Sequence, residues 1–211
     1  MVKILLEQGG YYHIFNRGVD KRKIFLDRRD LERFYLSMVE FNTLDPIGSI
    51  FERSFQKNRP LGSSTSKRNM LVTFVAYCLN PNHFHFLLRQ KAGRGIEKFM
   101  QRLGTGYTNY FNERRDRSGV LFQGRFKAVH VETNEQLLHV SGYVNLNYKV
   151  HRLGSSTSKS SWLEYMEGAY GICETGIILD QFGSPREYGR FVEDSLPLMW
   201  ERKELDALAL E

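Results

Sequence analysis

The sequence predicts an α+β protein: a ferredoxin-like antiparallel sheet with helices on one face, followed by a mostly helical C-terminal extension. Three observations carry this. Strand, helix, strand, strand, helix, strand and helix patterns follow one another before residue 150. A short Asn80-Pro81-Asn82 turn separates the two most strand-like runs, and charge and periodicity change near residue 160. With 211 residues, 41% of them hydrophobic, a chain of this size buries roughly 70% of its unfolded surface. It needs no disulfide or metal simply to fold.

The elements follow in order. Residues 11–16 (YYHIFN) alternate and are rich in aromatic and β-branched types, which predicts a strand ending at Arg17-Gly18. Asp30 is placed to cap a helix to about Asn42, with Leu31, Phe34, Tyr35, Met38 and Val39 at helical spacing. Residues 44–69 lack periodicity and hold Pro46, Pro60, Gly62 and a Ser/Thr/Lys cluster, so they read as a loop insertion. Strands are predicted over Met70–Leu79 and His83–Gln90, joined as a hairpin. Ile96, Phe99, Met100, Leu103, Tyr107, Tyr110 and Phe111 mark a helix from Gly95 to about Arg115. Residues 125–132 alternate as a strand, and Thr133 with Gln136 forms a capping-box pattern for a helix to about Tyr148. After Ser160 the chain reads as helical, with Trp162, Tyr165 and Met166 needing a partner surface. The heptapeptide LGSSTSK occurs at 61–67 and again at 153–159, and both copies read as solvated loop.

The net charge of +6 hides a division. Residues 1–159 carry 26 basic and 13 acidic side chains, and residues 160–211 carry 4 basic and 11 acidic. Residues 89–130 alone hold ten basic groups against Glu97, Glu113 and Asp116, a field suited to a polyanion. Tyr107, Tyr110, Phe111, Phe122 and Phe126 lie within that run, as base-stacking faces or as core. Cys78 and Cys173 are too few for a disulfide framework, which points to a reducing cytoplasm. No run approaches 18 apolar residues, so no membrane partner is expected.

The chemistry-bearing residues fall in two places. In His83-Phe84-His85 both imidazoles project from one strand face, because strand side chains alternate, and two imidazoles at i and i+2 can share one metal ion. Tyr143 and Asn147 are spaced i, i+4 on one helical face, with Gln136 and Val140 continuing the stripe. A phenol is a poor nucleophile unless its electrophile is activated, which a neighbouring metal can do. Read alone, Tyr143 is a core aromatic with a wet hydroxyl, and only a metal centre beside it turns the reading toward a nucleophile. His13, His130, His139 and His151 have no partner at metal-ligand spacing and receive no role.

Four segments together resemble one family: YHIFNRG at 12–18, NPNHFHFLL at 80–88, GVLFQGRFK at 119–127 and YVNLN at 143–147. In this order they resemble the single-tyrosine HUH transposases, above all the REP-associated tyrosine transposases. The resemblance implies a catalytic domain over 1–150, with its loop insertion at about 44–69, and an acidic, mostly helical extension over 151–211. It implies His83, His85 and Asn147 as ligands of Mg²⁺ or Mn²⁺, and Tyr143 as the nucleophile. The implied activity is cleavage and strand transfer of single-stranded DNA beside hairpins, through a 5′-phosphotyrosine. Arg17, Arg125 and Lys127 lie in the matching motifs and are expected on DNA phosphates or bases. Related transposases include monomers and dimers, so a homodimer stays open. Two positions depart from the family pattern: Tyr148 stands where proline is usual, and Gly142 where a basic or bulky residue is usual, which would loosen the helix aiming Tyr143. The alternative is a non-catalytic RNA- or DNA-binding module on the same sheet.

Overall fold

The structure is a computed structural model that describes residues 5–48, 50, 69–154 and 157–208, without the side chains of 202 and 204–208. Most of the expected 44–69 insertion, with the first LGSSTSK copy, lies outside the described residues. Its ends meet, because the Leu44 amide donates to the Asn69 carbonyl at 2.9 Å.

The strands are β1 (Tyr11–Arg17), β2 (Val72–Asn80), β3 (His83–Gln90), β4 (Lys127–Val131) and the short β5 (Lys159–Ser160). They form one antiparallel sheet in the order β4-β1-β3-β2-β5. The helices α1 (Arg28–Glu40) and α2 (Gly95–Arg114) supply the two crossovers of the ferredoxin-like arrangement. Helix α1 starts three residues before the expected position. Asp27 is its cap, accepting from the Asp30 amide at 3.1 Å. Asp30 instead sits buried in the first turn.

Both helices cover one face. Tyr12 and Ile14 of β1, Phe84, Phe86 and Leu88 of β3, and Phe34, Met38, Phe99, Leu103 and Tyr107 of the helices form this first core. Tyr107 and Phe111, two of the candidate stacking aromatics, are therefore core residues; the Tyr107 hydroxyl donates to the Ile24 carbonyl at 2.6 Å. The opposite face is also covered. Helix α3 (Asn134–Asn145), the short α4 (Asn147–Val150) and the later helices α5 (Trp162–Met166), α6 (Gly176–Leu179), α7 (Pro185–Asp194) and α8 (Leu196–Leu208) pack there. This explains why every residue of β2 is buried. A bulge between Phe74 and Ala76 changes the alternation, so that Phe74 and Tyr77 reach the first core while Val75, Ala76 and Cys78 reach the second.

The extension is part of this second core. Tyr165, Ile178, Tyr188 and Val192 are completely buried in it, and β5 continues the sheet at the free edge of β2. Lys159 and Ser160 thus turn the end of the second LGSSTSK copy and its neighbour into a strand pair where loop was expected. A buried polar network ties α3 to the extension: Ser161 Oγ donates to Asn145 Oδ1 at 2.6 Å, and Asn145 Nδ2 donates to the Tyr188 hydroxyl at 2.9 Å. Ser161 Oγ also accepts from the Tyr77 amide at 2.9 Å. Helix α3 has the expected Thr133–Gln136 capping box, but the helix expected to reach Tyr148 breaks at Leu146 (φ −103°, ψ 17°). Among the described residues, no helix is long and apolar enough to cross a membrane.

Gly142 has a packing reason rather than a loosening one. A Cβ there would stand 2.9 Å from Val192 Cγ2 and 3.1 Å from Val192 Cγ1, so glycine lets α7 close onto α3. Gly142→Leu is expected to lower stability by about 2–3 kcal/mol through overpacking, with partial recovery in the Gly142→Leu/Val192→Ala double variant. Urea denaturation measures both, and equal midpoints for the single variant and the parent would discount this contact.

Candidate active site

Strand alternation fixes which side chains face α3. Phe15 lies opposite His85 and Arg17 opposite His83 in the β1–β3 register, so His13, Phe15, Arg17, His83 and His85 share the face that α3 covers. Phe84 and Phe86 point into the first core.

The proton positions on His83 can be assigned from its neighbours. Asn82 Nδ2 donates to the Lys21 carbonyl at 3.2 Å, which turns Asn82 Oδ1 toward His83 Nδ1 at 2.7 Å. Nδ1 therefore carries the hydrogen and Nε2 keeps its lone pair. Nε2 faces Asn147 Oδ1, a second acceptor, at 3.2 Å, and Asn80 Nδ2 donates toward both, at 2.9 and 2.7 Å. Asn80 and Asn147 are fully buried, and Asn147 Nδ2 has no hydrogen-bond partner. The Asn80 amide thus bridges the two acceptors, which with it form a buried polar pocket of neutral donor atoms of the kind that suits a cation.

His85 is buried, and its Nδ1 pairs with His13 Nε2 at 2.8 Å, which leaves its own Nε2 for a ligand. The half-buried His151 completes a cluster: one ring nitrogen from each of His83, His85 and His151 lies within 4.8 Å of the others. Burial lowers the affinity of all four imidazoles for a proton. His13 falls to about 4 and His151 to about 3, the latter with help from His83 and Lys203. His83 is held below its ordinary value chiefly by desolvation, and His85 well below it by desolvation and then by the other three rings. At neutral pH these rings are uncharged and offer lone pairs.

Tyr143 is half-buried at the same place. Its ring stands edge-on to His85 (centroids 5.6 Å, 87°) and to His13 (5.7 Å, 79°). The sheet, α3 and α4 thus bring His83, His85, Tyr143 and Asn147 together. Arg17 is exposed on this side at the end of β1, where its guanidinium donates to Gln123 Oε1. Lys127 places its ammonium 5.9 Å from the centre of the Phe15 ring, which itself stacks on His85. Arg125 does not join them; it lines a groove of about 630 Å³ with Asn16, Phe84, Phe122 and residues of α2.

The basic run at 89–130 is less available than its composition suggests. Arg114 and Arg115 are engaged by Asp27 and the buried Asp30 at 2.5–3.1 Å, and the Arg114 and Arg115 guanidiniums hold the Asp27 carboxyl well below the usual carboxylate range. Arg102 donates to the Thr43 carbonyl, and Arg117 to Asn112 Oδ1.

Three residues of this site were not assigned from the sequence. His13 reaches it only through the β1–β3 register. His151 extends the Tyr143–Asn147 spacing by another four residues, a signal that was available. Lys203, whose ammonium donates to the Val150 carbonyl at 3.0 Å, arrives on the last helix.

The family model described as Transposase IS200 like matches residues 61–147, the segment that holds His83, His85, Tyr143 and Asn147. The solved structure of the REP-associated tyrosine transposase bound to a REP hairpin shares the fold, with a TM-score of 0.51 at 12% identity, over 82% of this chain and 88% of that one. No curated protein sequence matches the chain.

Proposed function

We propose that this chain, whose residues 61–147 carry the IS200-like transposase signature, is a metal-dependent tyrosine transposase. It cleaves single-stranded DNA beside REP-like hairpins and rejoins it through a covalent 5′-phosphotyrosine. The observation that supports this most is the meeting of a phenol, two strand imidazoles and a buried carboxamide on one sheet face, remote from one another in sequence.

The donor set fits a divalent cation: His83 Nε2 and Asn147 Oδ1 lie 3.2 Å apart in a buried pocket, and His85 has its Nδ1 tied to His13. His83, His85 and Asn147 would hold Mg²⁺ or Mn²⁺, which when bound withdraws charge from a phosphodiester oxygen as a Lewis acid. The remaining chemistry belongs to the chain. Tyr143 Oη forms a bond to phosphorus as the bond to the 3′-oxygen breaks; the phenolic proton is lost and the departing oxygen leaves as a 3′-hydroxyl. The phosphotyrosine keeps the ester available for attack by another 3′-hydroxyl, so rejoining needs no ATP. His13 orients His85, and Asn82 orients His83, so that ring rotation is restrained before DNA arrives. Arg17 and Lys127 lie where phosphates flanking the reacting bond would pass, while Arg125 and Phe122 in the groove suit a hairpin base or backbone farther from the chemistry.

The test is a labelled hairpin oligonucleotide incubated with the protein and Mn²⁺, then run under denaturing conditions. A protein–DNA band that disappears with EDTA is expected. Hairpin binding in a gel shift with no such band at any divalent ion would favour the non-catalytic module instead. His85→Ala is expected to lower adduct formation by about 10²-fold or more, read from the same gel as an initial rate.

A further inference from the structure

We propose that His151 is a further ligand of the cation held by His83 and His85, so that this chain presents three imidazoles and the Asn147 carboxamide to one ion. The inference rests on the metal-dependent reading above and specifies its ligand set.

Four observations point to it. The ring nitrogens of His83, His85 and His151 already lie within 4.8 Å of one another. Ligand atoms around a shared cation at bonds of about 2.1 Å stand roughly 3–4 Å apart, so side-chain rotation closes the remainder. The His83 and His151 rings are in direct contact, 4.4 Å apart between centres and inclined at 53°. Helix α4 couples His151 to an expected ligand: its amide donates to the Asn147 carbonyl at 3.0 Å, one turn away, so both side chains leave one helical face. That turn is also anchored. Trp200 Nε1 donates to the Lys149 carbonyl at 3.2 Å and Lys203 Nζ to the Val150 carbonyl at 3.0 Å, and Arg152, in the left-handed region at φ 54°, turns the chain away at once. The last helix thus holds the third imidazole in place.

Ligand chemistry gives the consequence. Three nitrogen donors and one neutral oxygen favour Mn²⁺, Co²⁺ or Zn²⁺ over Mg²⁺, which prefers all-oxygen shells. Lys203 stands close enough to oppose a bare cation, and a DNA phosphate bound between the two would relieve that repulsion.

The experiment uses the full chain without DNA. Mn²⁺ binding is followed by the loss of the free-ion paramagnetic resonance signal, and Co²⁺ binding by its visible absorption. The parent is expected to bind one Mn²⁺, and His151→Ala to bind it about 10–100-fold more weakly with an altered Co²⁺ spectrum. His83→Ala is expected to weaken binding at least as much, and the exposed His130→Ala to leave it unchanged. Should His151→Ala fail to show a cooperative melt, His151→Phe, which keeps a ring but offers no donor atom, is read in its place. Unchanged affinity and spectrum on replacing His151, with His83→Ala impaired, would overturn the ligand assignment alone. No Mn²⁺ or Co²⁺ binding by the parent would overturn the metal-dependent reading itself, as would binding that His83→Ala leaves intact.

Discussion

Tyr143→Phe is expected to abolish the denaturant-resistant protein–DNA adduct, with at least a ~10⁴-fold loss of cleavage, while hairpin affinity changes by less than about threefold. The reasoning is local. The substitution removes one oxygen and keeps the ring, whose centre stands 5.6 and 5.7 Å from those of His85 and His13. The half-buried ring stays packed beside the second core, so the fold has no cause to change. Single-turnover cleavage of a labelled hairpin, paired with a gel shift on the same preparations, separates chemistry from binding. An adduct of ordinary yield in Tyr143→Phe would mean that another tyrosine or serine attacks, and the site built around β3 and α3 would lose its nucleophile.

Truncation after residue 158 is expected to give insoluble or unfolded protein, not a faster enzyme. An acidic tail beside a basic body invites the idea of a DNA mimic lying over the groove. The packing argues otherwise. Tyr165, Ile178, Tyr188 and Val192 are all completely buried. At about 1.5–3 kcal/mol for each large apolar side chain, their burial rivals the whole stability of a typical domain. Truncation would also bare Val75, Ala76 and Cys78 of β2 and unpair the buried Asn145 carboxamide from Ser161 and Tyr188. The milder Tyr188→Phe should cost about 1–3 kcal/mol, since Asn145 Nδ2 and Ser141 Oγ lose a buried partner. Soluble yield and urea denaturation read both. A soluble, cooperatively folding 1–158 fragment that cleaves faster than the parent would restore the autoinhibitory idea.

The ferredoxin-like core was legible because its signals are local. Alternation in YYHIFN, the Asn-Pro-Asn turn, the 3–4 spacing from Ile96 to Phe111 and the Thr133–Gln136 box each depend on neighbours a few residues away. The misplacements have equally local causes. Asp27 and Asp30 both suit a cap and both pair with Arg114 and Arg115; Asp27 takes the cap by accepting from the Asp30 amide, while the buried Asp30 reaches back to accept from the Leu26 amide. The helix carrying Tyr143 breaks at Leu146, where no proline or glycine announces it. The basic run overstated the free charge, because composition does not reveal which arginines are paired within the fold.

The order of elements, the placement of two imidazoles on one side of a strand, and the i, i+4 spacing of Tyr143 and Asn147 were fixed by the chain's own periodicities, which covalent geometry imposes whatever the surroundings. Sheet register, the covering of the second face by residues 159–208, and the arrival of His13, His151 and Lys203 beside His83 and His85 were decided only in three dimensions. They are contacts between segments as many as 120 residues apart, such as Tyr11 and Val131. Such pairings are selected by the joint burial of apolar surface and the mutual satisfaction of polar groups, and no single stretch of sequence contains either one.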